Sequence, residues 1–366
     1  MKQKNIAIDG RGALLYRGTG IGTYTWQLLA HLSDEIKDLN IILPGMEYDG
    51  FCFSTAQWDE QKDILRDDFL PNYIKENHID LYHVPQNGIG LPNKKICKET
   101  VTIHDLIPYL YPETVGRGYL RDFLREMPQI MERSDAVITV SECSARDICR
   151  IFHYPKAKIH VIHEAPEPIY RPMDKEKVAT FLQQKYGICG NYILYVGGFG
   201  IRKNVKALIN AFYLLRQEEN IPLKLVLPGK RSRDFDALDQ LTEALQIKDD
   251  VIFTDYVPVS DLPYFYNGAL MMVYPSIYEG FGLPPLEAMA CTTPVIAAKT
   301  SSLPEILGNN VLWFDPFDTV ELAEQIRRLW VSETLRKRMA KMGKEKADSY
   351  SWQETAKQTA KVFRSI

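Results

Sequence analysis

The sequence contains little cysteine and no excess of either charge. Its six cysteines are scattered along 366 residues without a C-x-x-C pair or a Cys/His cluster; they are Cys52, Cys97, Cys143, Cys149, Cys189 and Cys291. This spacing argues against a zinc site or a disulfide framework and favours a reducing compartment. The 44 basic and 47 acidic residues give a net charge of −3, so we expect no binding of nucleic acid.

Long apolar segments are also missing from the sequence. No stretch approaches the roughly 18 consecutive apolar residues of a transmembrane helix. The start, MKQKNIAIDGRG, has a shorter apolar stretch than the about 7–15 residues of a signal-peptide core. We therefore expect a cytoplasmic protein, which could still lie peripherally at the inner face of the membrane.

A regular alternation of short β-branched runs and longer amphipathic segments fills the first half of the chain. The predicted strands are Asn5–Asp9, Asn40–Leu43, Leu81–Val84, Thr100–Ile103, Ala136–Val140 and Ile159–Ile162. Continuous apolar runs that alternate with helices are typical of parallel strands buried on both faces. The pattern predicts a doubly wound α/β domain.

A proline-rich segment, APEPIYRPM at residues 165–173, interrupts this alternation because its three prolines disfavour a helix or a central strand. The alternation then resumes, which predicts a second Rossmann-like domain after a linker within residues 164–190. The last segment, Trp352–Ile366, is predicted to be an amphipathic helix. The further predicted strands are Tyr192–Val196, Leu223–Leu227, Val251–Phe253, Leu270–Tyr274, Pro294–Ala297 and Val311–Phe314.

The first glycine-rich segment, RGTGIGTYTWQLL, precedes a predicted helix at Tyr24–Leu32. With Thr23 as the helix cap, Gly18, Gly20 and Gly22 fit a loop whose backbone approaches an anion at a helix N-terminus. The spacing is G-x-G-x-G rather than the G-x-G-x-x-G of dinucleotide binding, and no clear acidic residue ends the second predicted strand. The alternative is a loop that needs glycine only in order to turn.

The second glycine-rich segment, VGGFGIRKN at residues 196–204, follows a predicted buried strand and runs into a predicted helix at Lys203–Glu219. Arg202 and Lys203 then lie at a helix start, where the macrodipole favours acidic residues. An anion such as a diphosphate, bound between these cations and the helix amides, would explain their position. The alternative is two solvated basic residues.

The segment SIYEGFGLPPLEAM places Glu279 and Glu287 eight residues apart, around a predicted helix start at Pro284. The amides of Phe281, Gly282 and Leu283 precede that helix and suit anions and sugar oxygens. Glu279 follows a predicted strand, at the edge where open α/β sheets bind ligands. Alternatively, Glu287 in the first turn only interacts favourably with the helix dipole, which would stabilise the helix by about 0.3–1 kcal/mol. This alternative does not account for Glu279 or the glycines.

His104 and Asp105 follow the predicted strand Thr100–Ile103. A histidine at a strand end is a candidate for hydrogen bonding near a reacting group. The alternative is a structural histidine whose ring nitrogens are satisfied within the fold.

The predicted helix Arg117–Arg133 carries four arginines beside apolar residues and could contact anionic lipid. Asp122, Glu126 and Glu132 dilute this charge, which favours an ordinary surface helix.

These segments, in order along nearly the whole chain, resemble the retaining family-4 glycosyltransferases of the GT-B fold. The resemblance extends to VTIHDLIPYLYPE (Val101–Glu113), SDAVITVSECSARDI (Ser134–Ile148) and SWQETAKQ near the end. It implies two Rossmann-like domains that face a cleft. Residues 1–168 with 351–366 would form the acceptor-side domain, to which the last helix crosses back, and residues 169–350 would hold the nucleotide sugar.

The resemblance also implies roles for the candidate residues. Glu287 would bind the ribose of the donor and Glu279 a hydroxyl of its sugar, while Arg202 and Lys203 would neutralise the diphosphate. The catalytic group would be His104, Asp105, Lys203 and Glu279. Further donor contacts would come from Gly20, Gly22, Gly198, Phe199, Tyr256 and Val257, and from the backbone of Phe281, Gly282 and Leu283.

Two positions depart from the pattern of the family. Gly198 stands where many relatives carry Arg, Ser or Thr, so a phosphate contact from that side chain would be absent. Thr292, in ACTTP (Ala290–Pro294), replaces a glycine, for which we expect only a local backbone adjustment.

The resemblance implies transfer of a hexose, with retention, from a nucleotide diphosphate sugar to a hydroxyl of a glycan or lipid-linked glycan. The segments IDGR, TGIGTYT and IHDLIP look most like bacterial mannosyl- and rhamnosyltransferases of surface polysaccharide assembly, so GDP-mannose is the first expectation and a UDP-hexose the second. No metal or other cofactor is expected, because Arg202 and Lys203 supply positive charge and no D-x-D pair ends a predicted strand. A nucleotide-sugar epimerase and a non-catalytic two-lobed binding protein are the alternatives.

Overall fold

The computed structural model describes residues 4–16, 18–43, 47–48, 51–52, 65–218, 221–231 and 234–366. The chain divides into two compact units, Met1–Glu164 with Ser351–Ile366, and Ala165–Tyr350. The first unit thus gives way to the second after residue 164. The boundary expected from the sequence was four residues later, after residue 168.

The first unit is built on a six-stranded parallel sheet in the order β2-β1-β5-β6-β7-β8. A short antiparallel pair, β3 with β4, was not predicted from the sequence. The central strands β1, β5 and β7 are buried along their whole length, because helices cover both faces of such a sheet. The strands are β1 Ile6–Asp9, β2 Asn40–Ile42, β3 Glu47–Tyr48, β4 Phe51–Cys52, β5 Leu81–Val84, β6 Lys98–Ile103, β7 Ala136–Thr139 and β8 Ile159–Val161.

The second unit contains another six-stranded parallel sheet, in the order β11-β10-β9-β12-β13-β14. Its strands are β9 Tyr192–Leu194, β10 Lys224–Leu227, β11 Val251–Phe253, β12 Met271–Tyr274, β13 Val295–Ala298 and β14 Leu312–Phe314. Numbered within the unit, this is the order 3-2-1-4-5-6 of the Rossmann fold, which reverses between β9 and β12. Open α/β sheets bind ligands outside the carboxyl ends of the strands at this reversal.

Helices connect the strands in both units. In the first unit they are Gly12–Leu15, Gly20–Glu35, Leu70–Glu76, Ile107–Leu110, Arg117–Arg133, Glu142–Phe152 and Trp352–Ser365. In the second they are Lys175–Tyr186, Val205–Glu218, Phe235–Ala244, Leu262–Gly268, Leu283–Ala290, Leu303–Leu307, Thr319–Val331 and Glu333–Ala347. The end predicted for one helix, Glu219, lies outside the described residues.

The helix after the first glycine-rich segment begins earlier than predicted, at Gly20 rather than Tyr24. Its N-cap is Thr19, whose side chain accepts from the amide of Gly22 at 3.2 Å, so the expected cap at Thr23 is wrong. Gly20 and Gly22 therefore lie in the first helical turn and not in a loop. Thr23 is not needed as a cap, because Thr19, four residues upstream, already accepts a hydrogen bond from the first turn of the helix.

The final helix, Trp352–Ser365, packs against Gly20–Glu35 within the first unit. Its buried face includes Trp352, Ala356, Ala360 and Phe363, as the amphipathic pattern predicted. The hydroxyl of Thr355 donates to the carbonyl of His163 at 2.7 Å, which ties the helix to the end of the first sheet.

The helix Arg117–Arg133 has the bounds predicted from the sequence. Its apolar face, with Phe123 and Met127, is buried in the core of the first unit. On its exposed face, Arg121 and Arg125 pair with Asp122 at 3.2 and 3.4 Å. This arrangement is that of a surface helix. No helix in the described ranges is long and apolar enough to cross a membrane.

Candidate active site

Two loops meet where the strand order of the second sheet reverses. One follows β9 and carries Arg202 and Lys203; the other follows β12 and carries Glu279. They are joined by the backbone, since the amide of Ile277 donates to the carbonyl of Arg202 at 2.8 Å. The sheet order therefore brings together residues that are about 75 positions apart in the sequence.

The glycine loop after β9 is shaped by Tyr195. Its buried hydroxyl donates to the carbonyl of Gly198 at 2.5 Å. Gly197 has φ of +155°, and a Cβ there would lie 2.6 Å from that hydroxyl oxygen, so the position requires glycine. Gly198 is different, because a Cβ there would meet nothing within 4 Å.

Arg202 and Lys203 lie in a 3₁₀ turn, Ile201–Lys203, that precedes the helix Val205–Glu218. The prediction that the helix begins at Lys203 is therefore wrong. Asn204 separates turn and helix because it takes the left-handed conformation, with φ of +56°, which asparagine tolerates better than most residues. Its side-chain amide donates to the carbonyl of Pro316 at 2.8 Å and so fixes the turn.

The loop after β12 ends at Gly282, which has φ of +111°. A Cβ at Gly282 would lie 2.6 Å from Cδ2 of Leu303, so glycine is required there for both space and conformation. The helix begins at Leu283, one residue before the predicted Pro284.

Ser301 and Ser302, which the sequence analysis missed, support this loop. The Ser301 hydroxyl accepts from the amide of Glu279 at 2.9 Å. The Ser302 hydroxyl contacts the carbonyls of Glu279 and Phe281 at 3.0 and 2.8 Å. No motif marked these serines, because they reach the loop from a segment about twenty residues further along the chain.

Glu279 is the centre of a buried cluster of polar groups. Its Oε1 lies 2.6 Å from Nζ of Lys203 and 3.1 Å from Nη1 of Arg202. The same oxygen accepts from the hydroxyls of Tyr274 at 3.0 Å and Ser276 at 2.5 Å. Burial would raise the pKa of Glu279, but the charges of Lys203 and Arg202 outweigh it and hold the pKa at about 2.

This cluster carries a net positive charge, because one carboxylate faces two cations. Arg202 also donates to the carbonyl of Tyr278. The side chains of Arg202 and Lys203 are only 15% and 19% exposed, so the alternative of two solvated basic residues does not describe them. An arrangement with more cations than carboxylates suits the binding of an anion.

Glu287 lies in the same loop-and-helix segment, on the helix Leu283–Ala290. It is the fifth residue of that helix, so the prediction that it lies in the first turn is wrong. The favourable interaction of an acidic residue with the helix dipole is confined to the first turn. It therefore does not explain a carboxylate at the fifth residue of the helix. Glu287 is 9% exposed and accepts from the hydroxyl of Tyr266 at 2.6 Å.

Of the residues expected to contact the donor base, Tyr256 is exposed whereas the side chain of Val257 is buried. The side chain of Phe199 is also buried and packs on Phe235 and Phe253, with ring centroids 5.7 and 5.8 Å away. Val257 and Phe199 can therefore offer a ligand only their backbone. The burial of Phe199 was not apparent from its position in a glycine-rich segment.

In the first unit, both ring nitrogens of His104 are engaged. Nδ1 lies 3.1 Å from Oε1 of Glu164, and Nε2 lies 2.9 Å from the carbonyl of Pro85. A carbonyl can only accept, so Nε2 carries a proton. His104 is 6% exposed, and the ring of Tyr24 meets it edge to face at 4.7 Å. These contacts agree with the structural alternative for this histidine.

Asp105 lies two residues before the helix Ile107–Leu110 and is half-buried. Its Oδ1 accepts from the amide of Ile107 at 3.0 Å. Gly20 has open space around its Cα, since a Cβ there would meet nothing within 4 Å, and Gly22 is buried. These residues belong to the first unit, whereas Arg202, Lys203, Glu279 and Glu287 belong to the second.

Within the parts of the chain that the structure describes, no three His, Cys, Asp or Glu side chains come together as a metal site requires.

The chain is similar to the solved structure of sucrose-phosphate synthase from Thermosynechococcus elongatus, with a TM-score of 0.78 and 21% identity over 99% of this chain and 98% of that one. This likeness establishes the fold. The two units are the Rossmann-like domains of a GT-B protein.

Sequence comparison gives the family. The model "Glycosyltransferase Family 4" matches residues 19–165 and the model "Glycosyl transferases group 1" matches residues 180–346. The O-antigen chain mannosyltransferase B of Escherichia coli is 32% identical over 286 residues, which cover 78% of this chain and 74% of that protein. The serotype-specific mannosyltransferase WbdA of Escherichia coli is 29% identical over 77% of this chain but only 34% of its own length. The chain belongs to these family-4, group 1 enzymes and is a glycosyltransferase.

Proposed function

We propose that this enzyme transfers mannose, with retention of configuration, from GDP-mannose to a hydroxyl of a glycan or lipid-linked glycan. The observation that carries the proposal is the buried cluster of Arg202, Lys203 and Glu279 at the reversal point of the second sheet. Its net positive charge, next to a helix start, is suited to a diphosphate. Mannose is favoured by the names of the two Escherichia coli relatives.

In this proposal the cluster stabilises the leaving group. Negative charge develops on the diphosphate as the bond to the sugar breaks, and preorganised cations in a dry site stabilise that charge most strongly. Lys203 and Arg202 hold their positions against Glu279 before any ligand is present, so little reorganisation is needed. Glu279, which the cations keep ionised, then accepts from a hydroxyl of the donor sugar.

Glu287 binds the ribose of the donor, and the backbone from Phe281 to Leu283 contacts sugar and phosphate. Gly198 leaves open space in which the phosphate can approach the backbone closely. A UDP-hexose is the alternative donor, because nothing in the cluster reads the base. The exposed Tyr256 is the side chain we propose for contact with the base.

The reaction is proposed to need no bound metal, since Arg202 and Lys203 supply the charge that a divalent cation would otherwise provide. His104 and Asp105 are the residues of the first unit that are proposed to take part in catalysis. The contacts of His104 limit it to a supporting role unless its bond to Glu164 or Pro85 is exchanged for one to the substrate. The enzyme is proposed to act in the cytoplasm, at the inner face of the membrane when its acceptor is lipid-linked.

The test follows nucleotide release from GDP-mannose and UDP-glucose, with and without an acceptor glycan, and determines the anomeric configuration of the product by NMR. We expect release that depends on the acceptor and an α-linked product from the α-linked donor. Release with altered free sugar and no acceptor would identify an epimerase, and binding without turnover would identify a binding protein. Lys206→Ala, which removes an exposed charge three residues from Lys203, is the matched control and should retain activity.

A further inference from the structure

The polar contacts of the Glu279 carboxylate fall on one of its two oxygens. Oε1 lies 2.5–3.1 Å from four donors, which are Nζ of Lys203, Nη1 of Arg202 and the hydroxyls of Tyr274 and Ser276. Oε2 has no polar partner among the residues that the structure describes. It is also not one of the buried, unpartnered side-chain atoms of this part of the chain, so the 11% exposure of the Glu279 side chain includes Oε2.

The two hydroxyl donors come from the end of β12. Tyr274 is the last residue of that strand and Ser276 follows two positions later; they are 1% and 0% exposed. The Tyr274 hydroxyl donates to Oε1 of Glu279 and at the same time accepts from Nζ of Lys203 at 3.2 Å. Burial raises the pKa of Tyr274 well above its ordinary value, and the charge of Glu279 raises it further, so the hydroxyl keeps the proton that it donates.

The position of Oε1 determines where Oε2 lies. A carboxylate group is planar, so Cγ, Cδ and Oε1 together fix the place of the second oxygen. Ser301 and Ser302 hold the backbone of Glu279, and burial of its side chain restricts Cγ and Cδ. The hydroxyls of Tyr274 and Ser276 then fix Oε1 by hydrogen bonds, which depend on angle as well as distance. The direction in which Oε2 accepts is therefore set before a ligand binds.

We propose that Tyr274 and Ser276 are positioning residues that hold Glu279 by Oε1 and so orient Oε2 towards a hydroxyl of the donor sugar. This inference rests on the proposed function, in which Glu279 accepts from that hydroxyl. An acceptor whose orientation is fixed by neighbouring hydrogen bonds holds the sugar in one geometry better than one that rotates. The effect of the two hydroxyls is thus expected on the sugar rather than on the nucleoside diphosphate.

A structural role for the two hydroxyls is the competing explanation, and Tyr192 provides the control. Tyr192 lies on β9 of the same sheet and is 1% exposed, and its hydroxyl donates to the carbonyl of Phe265 at 2.7 Å. Tyr192→Phe therefore removes one buried hydrogen bond that does not involve Glu279. Tyr274→Phe and Ser276→Ala each remove one that does.

The experiment measures by calorimetry the binding of GDP and of GDP-mannose, without acceptor, to the full-length protein and its variants. UDP and UDP-glucose are used if the protein binds those instead. The quantity compared is the dissociation constant of GDP divided by that of GDP-mannose, because its change between variants reports the contribution of the sugar. We expect this ratio to fall about tenfold in Tyr274→Phe and in Ser276→Ala, the scale of one hydrogen bond to a charged group.

Two further readouts separate positioning from stability. GDP alone should bind to Tyr274→Phe and Ser276→Ala as to the wild type, because Arg202 and Lys203 keep their contacts with Glu279. Tyr192→Phe should lower Tm and leave the ratio unchanged. If Tyr274→Phe fails to fold, as its Tm would show, the smaller change in Ser276→Ala decides the question.

A double variant tests whether the tyrosine acts through the glutamate. Once Glu279→Gln has removed the oriented carboxylate, Tyr274→Phe should lower kcat/KM no further, because the two residues act as one unit. A double variant in which the two losses multiply in full would overturn the inference.

The binding ratios also distinguish failure of the inference from failure of the proposed function. Ratios unchanged in Tyr274→Phe and Ser276→Ala but reduced in Glu279→Gln would overturn the inference and leave the proposed function intact. A ratio unchanged in Glu279→Gln would overturn the inference together with the proposed role of Glu279. Failure of the wild type to bind either nucleotide sugar would overturn both the inference and the proposed function.

Discussion

Replacement of Lys203 by alanine tests the electrostatic core of the site. Lys203 lies 2.6 Å from Oε1 of Glu279 and 3.2 Å from the hydroxyl of Tyr274. Without it, Arg202 and Glu279 form a one-to-one pair, and the net charge of the cluster falls from positive to zero. A diphosphate then meets one cation fewer.

The expected loss of activity follows from that change of charge. Removing one preorganised group that stabilises developing charge costs about 10²–10³ in rate, so we expect Lys203→Ala to lower kcat/KM by that factor. Arg202→Ala should cost less, because Arg202 divides its hydrogen bonds between Glu279 and the carbonyl of Tyr278.

The same substitution changes the pH dependence of stability. Lys203 and Arg202 hold the pKa of Glu279 at about 2, below its ordinary value of 4.5. A depressed carboxyl pKa contributes stability that is present above the ordinary pKa and is lost as the pH falls towards the folded value. The whole shift corresponds to about 3 kcal/mol, so losing Lys203 should cost on the order of 1–2 kcal/mol at neutral pH. For a domain of this size that lowers Tm by about 2–8 °C.

The assay combines kcat/KM for the donor, binding of GDP by calorimetry and Tm between pH 3 and 7, with Lys206→Ala as the control. In Lys203→Ala, the pKa of Glu279 should rise and acid unfolding should begin at a higher pH. Activity of Lys203→Ala within threefold of the wild type would refute the assignment of Lys203 to the diphosphate. A loss of activity equal to that of Lys206→Ala would refute it as well.

Three further predictions follow from the site. Activity should survive excess EDTA, because Arg202 and Lys203 are proposed to take the place of a metal ion. Glu287→Gln should weaken binding of GDP by about 1.5–3 kcal/mol, the scale for a hydrogen bond to a charged group, whereas Glu279→Gln should abolish most activity without weakening GDP binding. Gly282→Ala should destabilise the protein by on the order of 1–3 kcal/mol, because φ is +111° and the added Cβ would lie 2.6 Å from Leu303.

Each of these predictions has a result that contradicts it. Loss of activity in EDTA with recovery in magnesium or manganese would show that the phosphate site uses a metal. Equal weakening of GDP binding in both glutamine variants would show that the two glutamates act as one structural unit. For Gly282, the control is Gly198→Ala, which enters open space; equal Tm values for the two alanine variants would mean that the strain at Gly282 is absent.

The twelve strands of the two described sheets were predictable because each is a short, mostly apolar run, and those at the centre of each sheet are buried on both faces. The start of a helix was harder to locate. Thr19 caps its helix four residues before the expected Thr23, and Asn204 delays the next helix beyond Lys203. Several residues can cap or break a helix in a glycine-rich segment, and the backbone conformation that decides among them is set by packing.

The candidate residues themselves could be chosen from their motifs, but their partners could not. The sequence determined the doubly wound architecture and marked Arg202, Lys203, Glu279 and Glu287 as unusual for their positions, because periodicity and glycine spacing are local properties. Only the tertiary structure decided that both cations lie on Glu279, that Phe199 is buried, and that Tyr266 donates to Glu287. The contacts of both cations with Glu279 join residues that are distant in sequence, and they form because the parallel strand order brings the loops after β9 and β12 to the same edge of one sheet.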